Sequence, residues 1–578
     1  MSCWCLAAFR FDHLSVFVGT FVGLFTVLTL GYSSEFMRKN PTPHYPLSTI
    51  HSPPPSVPLF RYYACVILTC AASLGAVFSN NLVLFMVFWG FLGLLLYLLI
   101  GFGENARSSY TAKKAFIIIG GTDAFMLLGL ALLWHLAGRP ALTSLKMSAV
   151  SVALDSKTAM AAYLCLAAGA LAKAGAMPFH TWVPDTAEDA PTPVAAFLPA
   201  SLDKLLGIYF FFRLTVGMFQ VTPGMNTFLM LLGSFTIVAA VMMALVQHDL
   251  KRLLGYHAVS QVGYMVLGIG TGNPIGIAGG LFHMLNNTIY KSCLFLAGGA
   301  VEKRAGTTDL DKLGGFAKAM PISFVTFLVA SLAISGVPPF NGFVSKWMVY
   351  QGVIETGRAG GANWVLWLVA AMFGSALTLA SFMKLLHAVF LGQPSAEARA
   401  QVEGTREVGP AMWLPMVILA GLCVVFGVFA FNLPLKLFIL PSIETGIIYA
   451  GAWRSVVATA LILIGLAIGV IIYLVGAAEK ARIVEPFVGG ETLSDHTDVP
   501  WRDMRMSGVD FYRTIQQVDF LRVVYPLAEK KVFDVYDVGM KVTFGINKAL
   551  GYIHNGVLPR YLGWCLLGAV IILYVLSR

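Results

Sequence analysis

The sequence predicts an all-α, polytopic membrane protein with about 15 transmembrane helices, and two observations lead to this prediction. First, 57% of the 578 residues are hydrophobic and 12% are charged, with a mean hydropathy of +0.76, whereas soluble domains carry about 25% charged residues. Second, the apolar residues occur in runs of about 20, the length that a helix needs to cross a bilayer core of about 30 Å. We therefore expect a multi-pass protein of the inner (cytoplasmic) membrane, in contact with the lipid bilayer.

The apolar runs define the predicted spans. No signal peptide of the usual pattern precedes them, because Arg10, Asp12 and His13 stand at the start of the first run and no convincing cleavage site follows. The first helix itself is therefore expected to act as the insertion signal. The predicted spans cover residues 12–31, 60–79, 82–101, 114–136, 158–177, 192–216, 226–247, 253–271, 274–301, 319–337, 339–356, 363–391, 410–431, 451–476 and 561–577.

Three segments are too polar to cross a membrane. Residues 32–58 are rich in Pro and Ser and predict an extended surface loop, residues 392–409 predict a polar linker, and residues 477–559 are the most charged stretch of the chain. With the spans, they divide the chain into six predicted parts. These are the N-terminal spans with the Pro-rich loop (1–79), a first half (80–216) and a second half (217–391) of the membrane domain, additional spans (392–476), an amphipathic lateral helix region (477–559) and a terminal anchoring span (560–578).

The charged stretch contains a helical pattern with two different faces. Apolar residues recur every three or four positions from Val532 to Ile553, and charged residues form a second stripe. A helix from Leu527 to Val557 would be roughly 45 Å long at 1.5 Å per residue. Such a helix lies along a membrane surface rather than across the bilayer. The alternative is an ordinary helix of a cytoplasmic domain.

Two segments predict broken helices. The segment AMPFHTWVPDTAEDAPTPVAAFLPA contains five prolines in and beside a predicted span, and SGVPPFNGFVSKW places two prolines and two glycines between two further spans. Proline removes a backbone donor and clashes with the preceding turn, so the helices end or kink at these points. Discontinuous helices in corresponding halves of a transporter indicate ion sites.

Ionisable residues lie inside several predicted spans, although a charge at the centre of a spanning helix costs about 2.5–3.5 kcal/mol. His283, Asn287 and Lys291 are spaced by four residues and share one helix face, which must therefore meet a polar or wet interior. Lysine and histidine can carry protons there, because burial and neighbouring charges change how firmly each holds its proton. The predicted proton or ion pathway comprises Asp123, Lys173, Asp203, Lys204, His257, His283, Lys291, Lys384 and His387.

For some of the ionisable residues a structural role is the alternative. His257 fits equally well as a hydrogen-bonded core histidine, and His387 as a residue that bonds only within its own helix bundle. Lys251 and Lys346 stand at span ends, where snorkelling towards the interface is the favoured interpretation. The residues for which an ion-carrying role is favoured are Lys173, Lys204 and Lys384.

Composition and motifs argue against several other function classes. The net charge of +10 does not indicate nucleic-acid binding, since membrane proteins commonly keep Lys and Arg in their loops. The eight cysteines form no CxxC pair, and the sequence contains neither a Walker lysine loop nor an HExxH helix. We therefore expect no cofactor, no metal site and no catalytic residue in this chain, which would conduct ions with energy supplied by partners.

Four motifs in the same order, along roughly residues 10–391, resemble those of the antiporter-like membrane subunits of respiratory complex I. These subunits are shared with membrane-bound energy-converting hydrogenases and with multi-subunit cation/proton antiporters. The resemblance implies two inverted five-helix repeats, each with a broken helix, around a hydrophilic axis of Lys, His and Glu. It also implies a C-terminal lateral amphipathic helix followed by one anchoring span. The motifs are HTWVPDTAEDAPTPVAAFL, DLKRLLGYHAVSQVGYMVLG, FHMLNNTIYKSCLFLAGG and SGVPPFNGFVSKW.

The resemblance assigns individual residues to that axis. Lys173 matches the family lysine just before the broken-helix proline, and Lys204 matches the next axis position. His283 and Lys291 fall on the axis helix of the second half. Lys384 resembles the terminal lysine near the exit of the half-channel.

Two features depart from the family pattern. Gly90 follows Trp89 where the family usually has glutamate, so the usual carboxylate partner of Lys173 is absent. Asp123, which resembles an acidic residue of some family members, or a carboxylate of a neighbouring subunit is the expected substitute. In addition, residues 10–30 resemble the family's third helix, which implies that one or two N-terminal helices are missing or supplied by another subunit.

The leading prediction is a proton- or Na⁺-translocating subunit of a complex I-like, redox-driven complex, nearer to a hydrogenase or formate-linked assembly than to NADH dehydrogenase. Its expected partners are other membrane-arm subunits, redox subunits and the transported H⁺ or Na⁺. The first alternative is a subunit of a multi-subunit cation/proton antiporter or ion-driven uptake system. The second is an antiporter-like scaffold that does not pump.

Overall fold

The chain forms two compact units, Met1–Gln516 and Gln517–Arg578. Most of the predicted Pro-rich loop 32–58 and of the polar stretch 477–507 lies outside the described residues. The computed structural model describes residues 8–38, 59–103, 106–361, 363–394, 399, 402–443, 446–447, 449, 454–475, 508–554 and 556–577.

The first unit is built from helices that overlap the predicted apolar runs. Turns of π-helix follow α7, α8 and α14, at Leu198–Leu202, Arg213–Met218 and His387–Leu391. Two-residue strands, Val152–Ala153 and Phe219–Gln220, pair in parallel. The helices are α1 (His13–Phe36), α2 (Leu59–Phe78), α3 (Leu82–Ile100), α4 (Ser108–Leu136), α5 (Lys157–Ala174), α6 (Trp182–Asp189), α7 (Thr192–Phe197), α8 (Asp203–Phe212), α9 (Pro223–Leu245), α10 (Leu250–Gly270), α11 (Pro274–Ala305), α12 (Pro321–Ser335), α13 (Asn341–Arg358), α14 (Trp364–Leu386), α15 (Pro410–Val428) and α16 (Ser455–Val475).

The all-helical, multi-pass membrane class is confirmed. Within the described ranges, nine helical segments are long and apolar enough to cross a bilayer. Helices α10 and α11 are not among them, because they carry histidine, lysine, asparagine and glutamine side chains. They lie at the centre of the unit, where every residue of α10 except Arg252 is buried and α11 is buried from Ile275 to Val301. The total of about 15 crossings stays a prediction.

Helix α1 begins at a capping box. The carboxylate of Asp12 accepts a hydrogen bond from the Ser15 backbone N–H, and the Ser15 hydroxyl accepts one from the Asp12 backbone N–H. The guanidinium of Arg213 also binds both oxygens of Asp12, each at 2.6 Å. At its other end α1 continues to Phe36, so the predicted loop does not begin at residue 32. Tyr32 and Ser33 are buried there, where the Tyr32 hydroxyl donates to Leu296 O and the Ser33 hydroxyl is hydrogen-bonded to that of Tyr62.

Both predicted helix breaks are present. Helix α5 ends at Ala174 and is followed by Gly175 with φ = +84°, and α12 ends at Ser335 and is followed by Gly336 with φ = +80°. Glycine adopts this left-handed conformation without the clash that a Cβ would cause, and it satisfies the last carbonyl groups of a helix. Each half of the membrane domain therefore contains one interrupted helix.

The second unit contains α17 (Asp519–Glu529), α18 (Val535–Ile553) and α19 (Leu558–Leu576). The prediction of one helix from Leu527 to Val557 is wrong, because the chain turns after Glu529, and Lys531 adopts φ = +56°. With 19 residues, α18 is about 28 Å long at 1.5 Å per residue. Helix α19 is apolar and exposed along its length within this unit, as expected for an anchoring span.

Candidate functional site

The first group of predicted site residues surrounds the end of α5. Lys173 lies in the last turn of α5 and is completely buried. Its Nζ stands 4.7 Å from the centre of the Trp89 ring, and it has no hydrogen-bond partner among the described residues. The indole N–H of Trp89 donates to Oδ1 of Asp123 at 2.8 Å. The indole therefore lies between a cation and a carboxylate that are 50 residues apart in the sequence.

Asp203 and Lys204 complete this first group. They begin α8, directly after the π-helical turn Leu198–Leu202, and both are buried. A Cβ built on Gly175 would stand 3.1 Å from Nζ of Lys204, which places this ammonium at the first helix break. Within the described part of the chain, neither Nζ of Lys204 nor Oδ2 of Asp203 has a hydrogen-bond partner.

Gly90 does not contribute to this group. It is exposed on α3, and a Cβ at this position would meet nothing within 4 Å. Asp123, on the neighbouring helix α4, is half-buried and reaches Trp89 instead. Of the two substitutes considered for the missing glutamate, Asp123 is therefore linked to Lys173 through the Trp89 ring.

The second group is centred on His283 of α11. The Nδ1 atom of His283 lies 3.0 Å from the Ser345 hydroxyl, and Nε2 lies 3.1 Å from Oε1 of Gln261. The hydroxyl of Tyr290 is within 3.4 Å of the same Nε2. All four residues are buried, so three helices, α10, α11 and α13, surround one hydrogen-bonded polar cluster.

Two of the predicted pathway lysines, both in the second half, are held by backbone carbonyl groups. Lys291 donates to Leu254 O at 2.8 Å. Lys384 donates to Leu245 O and Gln247 O, each at 2.9 Å, at the end of α9. Carbonyl groups at a helix end lack an intrahelical donor and carry the negative end of the helix dipole, so they stabilise an ammonium.

Lys346 was not among the predicted pathway residues, because its place at a span end favoured snorkelling. In the structure it is 2% exposed, it donates to Ile334 O at 2.8 Å, and its Nζ stands 4.8 Å from the Tyr264 ring centre. A Cβ on Gly336 would stand 3.1 Å from its Cδ, so Lys346 lies at the second helix break as Lys204 lies at the first. Proximity of a lysine to the SGVPP break was the sequence signal that could have identified it.

The two remaining histidines have different surroundings. The Nε2 atom of His257 lies 2.7 Å from the Ser381 hydroxyl, and its ring contacts that of Phe382. His257 thus combines the predicted buried position with the hydrogen bond expected of a core histidine. His387 follows α14 in a π-helical turn, where its ring centre lies 4.9 Å from that of Phe511.

The structure contains an ion network beside the first helix break that the sequence analysis does not predict. Asp185 of α6 pairs with Lys114 of α4 at 2.7 Å and with Arg252 of α10 at 3.0 Å. Arg252 also pairs with Glu188. On the other face of α10, Lys251 pairs with Glu302 at 3.0 Å and is 5% exposed, so it does not snorkel either. The acidic residues of the motif PDTAED and the basic residues of the motif DLKR are the sequence signal from which this network could be predicted.

The described part of the site consists of proton-binding groups. In the described ranges, no group of three or more His, Cys, Asp or Glu side chains is arranged to hold a metal ion. The buried groups are amines, imidazoles and carboxylates, which can bind and release protons. Their arrangement can pass a proton between neighbouring positions.

Comparison with known proteins places the site in a family. The family described as NADH:quinone oxidoreductase/Mrp antiporter, TM, matches residues 79–378. The Na(+)/H(+) antiporter subunit A1 of Staphylococcus haemolyticus is 33% identical over an alignment of 393 residues that covers 64% of this chain and 48% of that protein. The F(420)H(2) dehydrogenase subunit L of Methanosarcina mazei is 33% identical over an alignment of 397 residues that covers 64% of this chain and 58% of that protein. The chain thus spans about half the length of the curated relatives it matches.

Two solved structures share the fold. A chain of the Mrp complex from Dietzia sp. DQ12-45-1b superposes with a TM-score of 0.65 and 23% identity, over 75% of this chain and 84% of that chain. A chain of the membrane-bound sulfane sulfur reductase, an archaeal respiratory membrane complex, superposes with a TM-score of 0.77 and 25% identity, over 99% of this chain and 89% of that chain. The resemblance that the four sequence motifs carry is therefore confirmed.

Proposed function

Because the chain belongs to the NADH:quinone oxidoreductase/Mrp antiporter transmembrane family, we propose that it is the ion-translocating membrane subunit of a complex I-like, redox-driven assembly. The ion is H⁺ or Na⁺, and the chain resides in the cytoplasmic membrane. Its neighbours are other membrane-arm subunits and the redox subunits that supply the energy.

The observation that carries this proposal is a series of buried cations. Six lysines with at most 2% exposure lie along the described membrane helices, and five of them remain when Lys114, which pairs with Asp185, is set aside. A buried ammonium is costly unless its charge is balanced, and transmembrane ionisable residues are typical of ion pathways. The five are Lys173, Lys204, Lys291, Lys346 and Lys384.

The helices that carry the charged residues pack in an order that suits a relay. Helix α8, which carries Lys204, packs against α11, which carries Lys291, across the boundary between the two halves. His257 lies on α10, which packs against the three helices that carry Lys291, Lys346 and Lys384. Because like charges repel, a proton that arrives at one member disfavours a proton on the next, and its departure restores the next member's affinity. The cluster around His283 supplies hydroxyl and amide groups between the lysines.

The extent of structural similarity favours the redox-driven assembly over a cation/proton antiporter. The likeness to the respiratory sulfane sulfur reductase chain extends over 99% of this chain, against 75% for the Mrp complex chain. A secondary antiporter remains the second candidate, because the curated relatives at 33% identity include Na(+)/H(+) antiporter subunits. In that case the same buried lysines would exchange protons for metal cations.

The test uses the complex purified from its native membrane through an affinity tag on this chain and reconstituted in liposomes. Electron donors (hydrogen, formate and NADH) are supplied in turn, and a pH-sensitive dye reports proton movement. We expect donor-dependent pumping that the double variant Lys204→Ala and Lys384→Ala abolishes while electron transfer to a soluble acceptor persists. The matched control is Lys318→Ala, at an exposed loop position.

Two results would contradict this proposal. Normal pumping by the double lysine variant would show that the buried lysines do not conduct the ion. A dye response to an imposed Na⁺ gradient without any electron donor, together with an absence of redox subunits in the purified complex, would favour the antiporter.

A further inference from the structure

We propose that a groove at one end of α2, α3 and α4 binds an anionic phospholipid. The lipid phosphate lies at Arg61, and an acyl chain follows the face of α3 that contains Gly90. This inference rests on the membrane location of the chain and not on the proposed ion translocation, so either can fail while the other stands.

The groove begins at a cavity of about 510 Å³ between the start of α2, the end of α3 and the start of α4. All three helices are long and apolar enough to cross a bilayer, so their ends mark the membrane–water boundary. The rings of Phe60, Tyr97 and Phe102 line the cavity, and aromatic side chains are typical of this boundary. Ligand sites commonly have volumes of about 300–1,000 Å³, so the cavity is large enough for the headgroup of a lipid.

The cavity has a cationic wall. Arg61 lines it, and the described lining residues include no acidic side chain. The guanidinium of Arg61 is exposed and forms neither an ion pair nor a hydrogen bond with another described residue. Ser109 also lines the cavity, in the first turn of α4, and Lys113 is exposed one turn later on the same face. Arginine binds a phosphate group through paired N–H donors, so this wall suits a lipid phosphate.

The face of α3 that continues from the cavity is apolar and open. Leu98 lines the cavity, and Leu94 and Gly90 follow at intervals of four residues, all three of them exposed. From Gly90 to Leu98 this face is about 12 Å long at 1.5 Å per residue. A Cβ on Gly90 would meet nothing within 4 Å. Because α2 and α4 each pack against α3, the face forms the floor of a groove that fits an acyl chain.

A lipid fits this combination better than a helix of a partner subunit. Basic pockets between membrane helices bind anionic headgroups, which supply the counter-charge that Arg61 lacks within the described chain. Helix–helix contacts in membranes are enriched in small residues. The exposed positions of α3 beside Gly90 are instead the large residues Val87, Phe91 and Leu94.

The experiment uses the tagged complex in phosphatidylcholine liposomes with a trace of phosphatidylglycerol that carries a photoreactive diazirine in its acyl chain. After illumination, mass spectrometry measures the labelled fraction of α3. We expect Arg61→Gln to lower this labelling by about tenfold, as when a charge-assisted hydrogen bond is lost, and Arg61→Lys to recover part of it. Gly90→Leu should also lower it, because the new side chain fills the groove while Arg61 is kept.

Two matched controls should label α3 at the parent level. Arg454→Gln removes an exposed arginine directly before another apolar helix, α16. Gly421→Leu changes an exposed glycine of α15 at which a Cβ would meet nothing within 4 Å.

Competition separates a lipid from free phosphate. Unlabelled phosphatidylglycerol in the liposomes should displace the probe, whereas inorganic phosphate at millimolar concentration should not. Displacement by inorganic phosphate, together with parent-level labelling of Gly90→Leu, would show an anion site without an acyl groove and would overturn the lipid proposal. Equal labelling of the parent and Arg61→Gln would overturn the role of the charge. An unlabelled α3 that cross-links to another subunit would show that a protein covers this face.

Discussion

Lys114 and Asp185 form an ion pair in the interior of the first unit: the Nζ and Oδ2 atoms are 2.7 Å apart, and the side chains are 1% and 7% exposed. The pair joins α4 to α6, the short helix that follows the first break. Arg252 of α10 shares the same carboxylate at 3.0 Å. One aspartate therefore connects both halves of the membrane domain at the point where α5 is interrupted.

Asp185→Asn is expected to destabilise the protein strongly. Removing one partner of a buried pair leaves an uncompensated charge, at a cost of about 3–5 kcal/mol. The measurement is the melting temperature of the detergent-solubilised complex. The control is Glu355→Gln, which removes an ion pair with Arg358 at 3.4 Å, where Glu355 is 48% and Arg358 62% exposed. Because this pair is exposed, its loss should change stability by less than about 1 kcal/mol. Equal melting temperatures for the two variants would refute a structural role for Asp185.

Lys346→Ala is expected to stop ion movement although sequence position alone favours a snorkelling residue. The ammonium is buried at the second helix break and donates to Ile334 O, so we include it in the proposed series of buried lysines. We expect a loss of about a hundredfold in proton movement, the effect of removing a proton-transfer group. Lys318→Ala, at an exposed position in the loop before α12, should pump at the parent rate. Unchanged pumping by Lys346→Ala, in complex of normal yield, would remove this residue from the pathway.

The Asp12–Arg213 pair predicts a pH-dependent stability. Burial alone would raise the pKa of Asp12, but the hydrogen bonds and charge of Arg213 outweigh it and lower this pKa from 3.8 to about 2. A carboxyl group whose pKa is lower in the folded state stabilises that state above its unfolded pKa. Its contribution is therefore complete above 3.8 and is lost as the pH falls towards about 2.

The measurement compares the melting temperatures of the parent protein and Asp12→Asn across that range. The parent should melt higher at neutral pH, and the gap should close as the pH falls from 3.8 to about 2. Asp155→Asn, at an exposed position, should show no such gap. A gap for Asp12→Asn that is constant with pH would mean that the charge of Asp12 contributes nothing.

Helices α9 and α10 pack too closely at Gly263 for a side chain. A Cβ there would stand 2.6 Å from Gly233 O and 2.7 Å from the Ile237 backbone N. Gly263→Ala should therefore destabilise the protein by about 1–3 kcal/mol through overpacking. Gly421→Ala is the control, because a Cβ there meets nothing within 4 Å and alanine favours the helix. Melting temperatures of the two variants test this, and a gain in stability for Gly263→Ala would contradict the close crossing.

The sequence by itself determined that this is a membrane protein, where most of the helices of its first unit lie, and where two of them are interrupted. Apolar run length, proline and glycine act locally, so they specify where a helix can cross a bilayer and where it must end. The cost of burying a charge also made Lys173, Lys204, Lys291 and Lys384 stand out within apolar sequence. The resemblance to the family motifs added the expectation of a hydrophilic axis and showed that Gly90 stands where the family usually has glutamate.

Only the tertiary structure decided which of these groups meet. Trp89, Asp123 and Lys173 come from three helices, and no local pattern predicts that one indole contacts both charges. The burial of Lys346 depends on how α12 and α13 fold about Gly336, because a lysine at a helix end points to water or to the interior according to its neighbours. Helix–helix packing arranges residues that are far apart in the chain, and it is this packing that turns a scattered set of buried charges into an ordered series.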